Sequence, residues 1–166
     1  MNVVRVLRLV ALSLTVVVLA SCGFQLRGEY AMPFASVFVS STGASVVGAA
    51  LKRELTNSPA KLMTTAKDAE AQLNIVDDRR DRQILSLSGA GRVREYELKL
   101  LVRYQLVDAK GGVYIPTSEI QLSRILSYDD SRIIAKQQEE ALLYQDMERD
   151  AVAQIMRRMA AIKRPA

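Results

Sequence analysis

Glu95-Tyr96-Glu97-Leu98-Lys99-Leu100-Leu101-Val102-Arg103-Tyr104-Gln105-Leu106 is the stretch that decides the fold. Tyr96, Leu98, Leu100, Val102, Tyr104 and Leu106 hold alternate positions, and Glu95, Glu97, Lys99, Leu101, Arg103 and Gln105 hold the others. Strand side chains point to opposite faces with a period of two, so this is a long strand with one apolar and one mostly charged face. A sheet built around it is covered on one side only, the pattern of antiparallel pairing.

Just before this strand, Gly89-Ala90-Gly91 supplies residues that accept positive φ, as a hairpin turn requires. The incoming strand starts near Ala71. Leu73 and Ile75 face one way, Asp77-Asp78-Arg79-Arg80-Asp81-Arg82 interrupts, and Ile84-Leu85-Ser86-Leu87 resumes. After the strand, Asp108-Ala109-Lys110-Gly111-Gly112 makes a second turn into a segment with Ile120, Leu122, Leu126 and Tyr128 on one face. Pro116 cannot donate to a ladder, which predicts an edge position for that last strand.

Two helices flank the meander. Ser36-Val37-Phe38-Val39-Ser40 reads as a first strand, followed by a turn in which Thr42 or Ser45 can cap a helix. Val46, Val47, Ala50, Leu51 and Leu55 then recur at helical spacing until Asn57-Ser58-Pro59 stops them. Lys61-Leu62-Met63-Thr64 is at most a brief extended piece. Asp129-Asp130-Ser131 ends the third meander strand and caps a helix running from about Ile133 to Ile162. Leu143, Met147, Ala151, Ile155 and Met159 form its stripe, and Glu139 and Glu140 early with Arg157, Arg158, Lys163 and Arg164 late suit the helix dipole. The order β-α-β-β-β-α predicts an α+β two-layer sandwich, a four-stranded, mostly antiparallel sheet packed by two helices.

The start of the chain is of another kind. Arg5 and Arg8 precede 12 uncharged residues from Leu9 to Ala20, too few for the roughly 17–25 of a membrane-spanning helix. A basic start, a short apolar run and small residues before a cut describe an export signal. Leu19-Ala20-Ser21-Cys22 has the form of a lipobox, in which the thiol takes a diacylglyceryl group and the amine freed by cleavage is acylated. Cys22 is the sole cysteine, so a disulfide partner is absent and lipidation accounts for both its place and its solitude. The expected organisation is a cleaved lipoprotein signal peptide (1–21), a lipid-anchored tether (22–34) and a single α/β sandwich domain (35–164). Gly23 follows the cysteine where aspartate would mark retention at the inner membrane, so the anchor points to the outer membrane. Several acyl chains hold a protein firmly where one alone is marginal.

Removal of residues 1–21 from the 166 leaves 145, enough for one domain with a substantial core, and loss of Arg5 and Arg8 lowers the net charge from +5 to +3. That excess is too small to argue for nucleic acid. There is no histidine, and the one cysteine is expected to carry lipid. The commonest general base, the commonest metal ligand and the thiol nucleophile are therefore all missing, and no catalytic centre, metal or cofactor is expected.

The Asp77–Arg82 run can be read as paired carboxylates, but nothing else catalytic accompanies it and a solvated or partner-facing strand segment is the better reading. Asp129-Asp130 is a turn and cap before it is a calcium pair. Arg92 and Arg94 directly follow the hairpin turn, where exposed guanidinium groups can grip an anionic ligand such as a phosphate.

Cys22-Gly23-Phe24-Gln25-Leu26-Arg27-Gly28 after a lipobox resembles the opening of the LptE family of lipopolysaccharide-assembly lipoproteins. Arg94-Glu95-Tyr96-Glu97-Leu98, Ser123-Arg124-Ile125 and Ala135-Lys136 are similar to further family positions, so the likeness spans essentially the whole mature chain. The resemblance implies two helices on a four-stranded sheet, and an outer-membrane lipoprotein that plugs the β-barrel protein LptD while facing the periplasm and the barrel lumen. It implies lipopolysaccharide as ligand, bound by basic residues near the hairpin tip and at the lysine opening the last helix, which is Lys136 here. The family's arginine lies slightly before the glycine, at the place of Ser88 and Gly89, so Arg92 and Arg94 are its expected substitutes. An accessory lipid carrier is the alternative, and it would need a deep apolar cavity between helices and sheet.

Overall fold

The chain is described by a computed structural model over residues 32–163. Its elements are β1 (Ser36–Ser41), α1 (Val46–Thr56), β2 (Lys61–Met63), β3 (Ala71–Leu87), β4 (Val93–Asp108), β5 (Val113–Ser127) and α2 (Ile133–Ala160). The sheet runs β2-β1-β3-β4-β5. β1 is parallel to both β2 and β3, and β3, β4 and β5 form the antiparallel meander that the alternation predicted.

The sheet therefore has five strands and is mixed, where a four-stranded, mostly antiparallel sheet was expected. The added strand is Lys61–Met63, three residues long and too short for a periodic pattern to reveal. It forms because α1 carries the chain back to the start of β1, where the Lys61 N–H donates to the Ala35 carbonyl at 2.9 Å. The α+β class and the two helices stand.

α1 begins where Ser45 caps it, its hydroxyl accepting from the Gly48 N–H at 2.7 Å. Val47, Leu51 and Leu55 turn inward from α1, and Met147, Ala151, Ile155, Met156 and Met159 from α2. They meet Val37, Val39, Leu73, Leu98, Leu100, Val102 and Leu106 on one face of the sheet. Met32 packs on this core, and Phe34 is buried with its ring centre 5.0 Å from that of Tyr114. The other face is uncovered among the described residues.

β3 does not break at the charged run. Ile75 pairs with Tyr104 and Asp77 with Arg103, so two residues of β3 span one step of β4 and Val76 is a bulge. Beyond it Asp78, Arg80, Arg82 and Ile84 lie opposite Val102, Leu100, Leu98 and Tyr96, on the helix side. The run is thus divided between two faces. Asp77 binds Arg103 at 2.7 Å on the open face. Asp78 accepts from the Ser45 hydroxyl (2.7 Å) and the Val47 N–H (2.9 Å), fastening the start of α1. Arg80 pairs with Glu148 of α2, and Arg82 with Glu140 at 3.0 Å. β5 is an edge strand as Pro116 predicted, and its ladder slips between the Tyr104–Ser118 and Leu106–Ile115 pairs beside that proline.

Candidate functional site

β3 and β4 are 17 and 16 residues long and extend well past the six-residue β1. Their pairing continues through the bulge at Val76 and a further register shift between Ile84 and Ser86, so the hairpin carries its turn away from the main core. The last packed layer towards the turn is aromatic and cationic. Arg82 lies 4.7 Å over the Tyr96 ring, and Tyr96 meets Tyr128 edge-on at 5.1 Å.

Past that layer the apolar residues are no longer covered. Ile84 is 59% exposed and Leu85 and Leu87 are similarly open. Ser88 N–H donates to the Arg92 carbonyl at 2.7 Å and Gly91 N–H to the Ser88 carbonyl at 2.9 Å, with Gly91 at φ 74°. That left-handed conformation is why the turn needs a glycine there. Arg92 and Arg94 follow, both exposed, and neither joins an ion pair among the described residues.

The end of β5 and the start of α2 close the other side of this region. Tyr128 N–H donates to the Arg94 carbonyl at 2.7 Å. Asp129 accepts from the Ser131 N–H (2.9 Å) and hydroxyl (2.8 Å), and these bonds hold its carboxyl below the ordinary carboxylate range. A single 3-10 turn, Asp130–Arg132, then leads into α2, whose first residues Ile133 and Ile134 are exposed, Ile134 by 73%. Lys136 reaches back to the Ser127 hydroxyl at 3.3 Å and pairs with Glu139 at 2.8 Å. Ser127 pairs with Glu95 across the ladder, so Lys136 sits one strand from Arg94.

Arg92, Arg94 and Lys136 thus lie towards one end of the molecule. They differ in state: the arginines are open to solvent, whereas Lys136 is half-buried and already engaged. Sequence reasoning missed the exposure of Ile84, Leu85 and Leu87 on the hairpin and of Ile133 and Ile134 at the start of α2. Its one visible signal is Ile84-Leu85-Ser86-Leu87, which offers apolar side chains to both faces of a strand. Cys22, with the expected signal peptide and most of the expected tether, lies outside the described residues. Asp129-Asp130 belongs to no metal-holding cluster of three or more His, Cys, Asp or Glu among the described residues.

The interior between the layers is filled. Tyr104, Leu51, Leu55, Leu98, Leu100, Met147, Ile155, Met156 and Met159 are fully buried there. A groove of about 630 Å³ runs between α1 and α2, and its walls mix Val46, Ala50, Val152 and Ala153 with Arg53, Glu54, Arg80, Glu148 and Arg149. A surface groove with ionised groups in its walls is not the deep apolar cavity between helices and sheet that a lipid carrier needs.

The family model LptE, lipopolysaccharide-assembly, matches residues 34–159. The LPS-assembly lipoprotein LptE of Photorhabdus laumondii is 26% identical over 162 residues, 95% of this chain and 87% of that protein. The protein of the same name from Pectobacterium atrosepticum is 26% identical over 155 residues, covering 91% and 83%. Among solved structures, the uncharacterized lipoprotein B of Nitrosomonas europaea is similar with a TM-score of 0.73 and 40% identity over 84% of this chain and 91% of that one. The rare lipoprotein B of Shewanella oneidensis follows with a TM-score of 0.66 and 25% identity over 76% and 94%. With a family model spanning strand, helix and meander alike, the chain belongs to the LptE family of lipopolysaccharide-assembly proteins.

Proposed function

We propose that the protein is an outer-membrane lipoprotein that plugs the LptD β-barrel, helps it assemble, and binds lipopolysaccharide as it enters the outer leaflet. Residues 1–21 are removed, Cys22 carries N-palmitoyl and S-diacylglycerol groups, and residues 22–34 tether the domain, with Met32 and Phe34 lying against it. The role is one of position and binding, not of catalysis.

The observation that carries the reading is the chemistry of the hairpin end. Arg92 and Arg94, which join no ion pair among the described residues, and Lys136, paired with Glu139, share this end of the molecule with exposed Ile84, Leu85 and Leu87 of the hairpin and exposed Ile133 and Ile134 of α2. Phosphates with acyl chains are the ligand that such a mixture suits, since guanidinium groups bind phosphate bidentately and uncovered apolar patches mark binding sites. The open sheet face supports the plug. Asp77, Arg79, Arg103, Glu97 and Lys99 pair with one another there, giving a charged, hydrated surface of the kind a polar barrel lumen accommodates. A lipid carrier would need apolar space between the layers, where side chains are instead fully buried against one another.

Affinity purification from envelopes in mild detergent tests the reading. Recovery of a large β-barrel protein in about equal amount is expected, with lipopolysaccharide binding by the isolated domain reduced in the Arg92→Glu, Arg94→Glu, Lys136→Glu variant. Absence of the barrel overturns the plug, and undiminished binding by a folded variant removes these residues from the site.

A further inference from the structure

β1 pairs with β3 only from Ala71 to Ile75. The Thr42 N–H on the Ile75 carbonyl, at 3.2 Å, closes that pairing. β3 continues to Leu87, and from Asp77 onward its ladder partner is β4 alone. One edge of this segment therefore has no strand beside it, and within the segment the Asp81 carbonyl accepts from the Tyr144 hydroxyl at 2.7 Å.

Proteins usually guard such an edge with charge, and the segment is rich in it. Here most of those charges are already neutralised within the chain. Asp77 is held by Arg103, Asp78 by Ser45 and Val47, Arg80 by Glu148 and Arg82 by Glu140. An arriving strand would meet paired side chains. Alongside the edge runs a groove of about 480 Å³ between β3 and α2, in which Gln137, Ala141 and Tyr144 face Arg80 and Arg82. Arg80 also lines the larger groove, so the channel continues past Gln145. In the groove beside the edge the α2 wall carries Gln137, Ala141 and Tyr144, and the Glu140 carboxylate among them is paired with Arg82.

We infer that the free edge of β3 from Asp77 to Leu87 is a strand-addition site for an extended segment of the barrel partner, an inference that rests on the plug reading above. Only an extended backbone supplies alternating donors and acceptors along such an edge. The channel beside it calls for small or uncharged side chains on the side facing α2. A second copy of this chain fits less well. Antiparallel pairing of two β3 edges keeps both α2 helices on the same face of the joined sheet, so each would crowd the channel of the other.

Hydrogen–deuterium exchange on the full chain, alone and co-purified with LptD, tests this. Slowing of about tenfold or more is expected for amides between Asp77 and Leu87 in the complex, beyond any slowing along the free edge of β5. Ala141→Arg fills the channel from an exposed helix position; it is expected to remove that protection and weaken the complex about tenfold while leaving the free domain's melting unchanged. A complex that forms with no extra protection at β3 overturns the inference and leaves the plug reading standing. Failure to form any complex overturns both. The same protection in a self-associated chain without LptD assigns the edge to a second copy and also overturns it.

Discussion

The Arg82 guanidinium on β3 lies 3.0 Å from the Glu140 carboxylate on α2, and the pair fastens the first half of that helix to the hairpin. Neither partner is deeply buried, Arg82 being 48% exposed. An ion pair in that setting is worth about 1 kcal/mol or less, because water and salt screen it. Glu140→Gln is therefore expected to lower stability by no more than about 1 kcal/mol in low salt, and by less in 1 M salt. Urea titrations at the two ionic strengths read the difference, and a salt-independent loss would assign the effect to packing.

Arg80 and Glu148 form the same kind of link under different solvation. Glu148 is the one buried charged residue among those described. Arg80 also lies 5.0 Å over the Tyr144 ring, whose hydroxyl donates to the Asp81 carbonyl at 2.7 Å. Arg80→Ala strands a buried carboxylate, for which the cost is about 1–3 kcal/mol, so it is expected to exceed Glu140→Gln in the same titration. Replacing both partners by leucine is expected to recover much of that loss, because a paired charge in the interior adds little net stability.

Asp77 gives the pH dependence. The Arg103 N–H group donating to it at 2.7 Å, with Arg79 near by, holds its carboxyl below the ordinary carboxylate value. A depressed value in the folded state means a contribution present above the unfolded value of about 3.9 and lost as pH falls through the folded one. In Arg103→Gln, the Asp77 carboxyl is expected to titrate higher and the acid edge of stability to shift upward. Carbon-detected NMR titration of that carboxyl checks the sign, and an unmoved titration would place the cause elsewhere.

Much of this was legible because strand alternation and helical spacing act over many residues. Tyr96 to Leu106 and Leu143 to Met159 each repeat their pattern often enough to fix face and element. Lys61–Met63 was not legible as a strand, since three residues carry no period and pair only through the return of α1. The charged run misled for a related reason. A bulge at Val76 shifts the parity of the sequence, so Asp78, Arg80 and Arg82 turn towards helices that a reading of alternate positions does not bring near. At the candidate site, Arg92 and Arg94 follow directly from their place after the turn. The exposure of Ile133 and Ile134 does not, because it depends on where the buried stripe of α2 begins, at Tyr144.

The core gives a stability test of ordinary kind. Leu51 of α1 is fully buried between the helices and the sheet. Leu51→Ala deletes most of its side chain and leaves a cavity, for a loss of about 2–5 kcal/mol. That is several times the expected effect of Glu140→Gln, and comparison of the two ranks apolar burial above the surface ladder.

The bulge at Val76 allows a sharper test. Because Val76 is the additional residue in the step from Ile75–Tyr104 to Asp77–Arg103, deleting it leaves Ile75 followed by Asp77 with every later pair in its present register. Asp78 would still face Ser45, and Arg80 and Arg82 would still face Glu148 and Glu140. Deleting Arg79 instead moves each residue on one side of the gap to the opposite face, and the charges of the run would exchange places. Deletion of Val76 is therefore expected to leave a folded domain with weaker local twist, and deletion of Arg79 to unfold it or lower its melting point far more. Circular dichroism melts of the two single-residue deletions decide the point. Equal damage would mean that the bulge itself, through its bend and twist, holds the hairpin against α2.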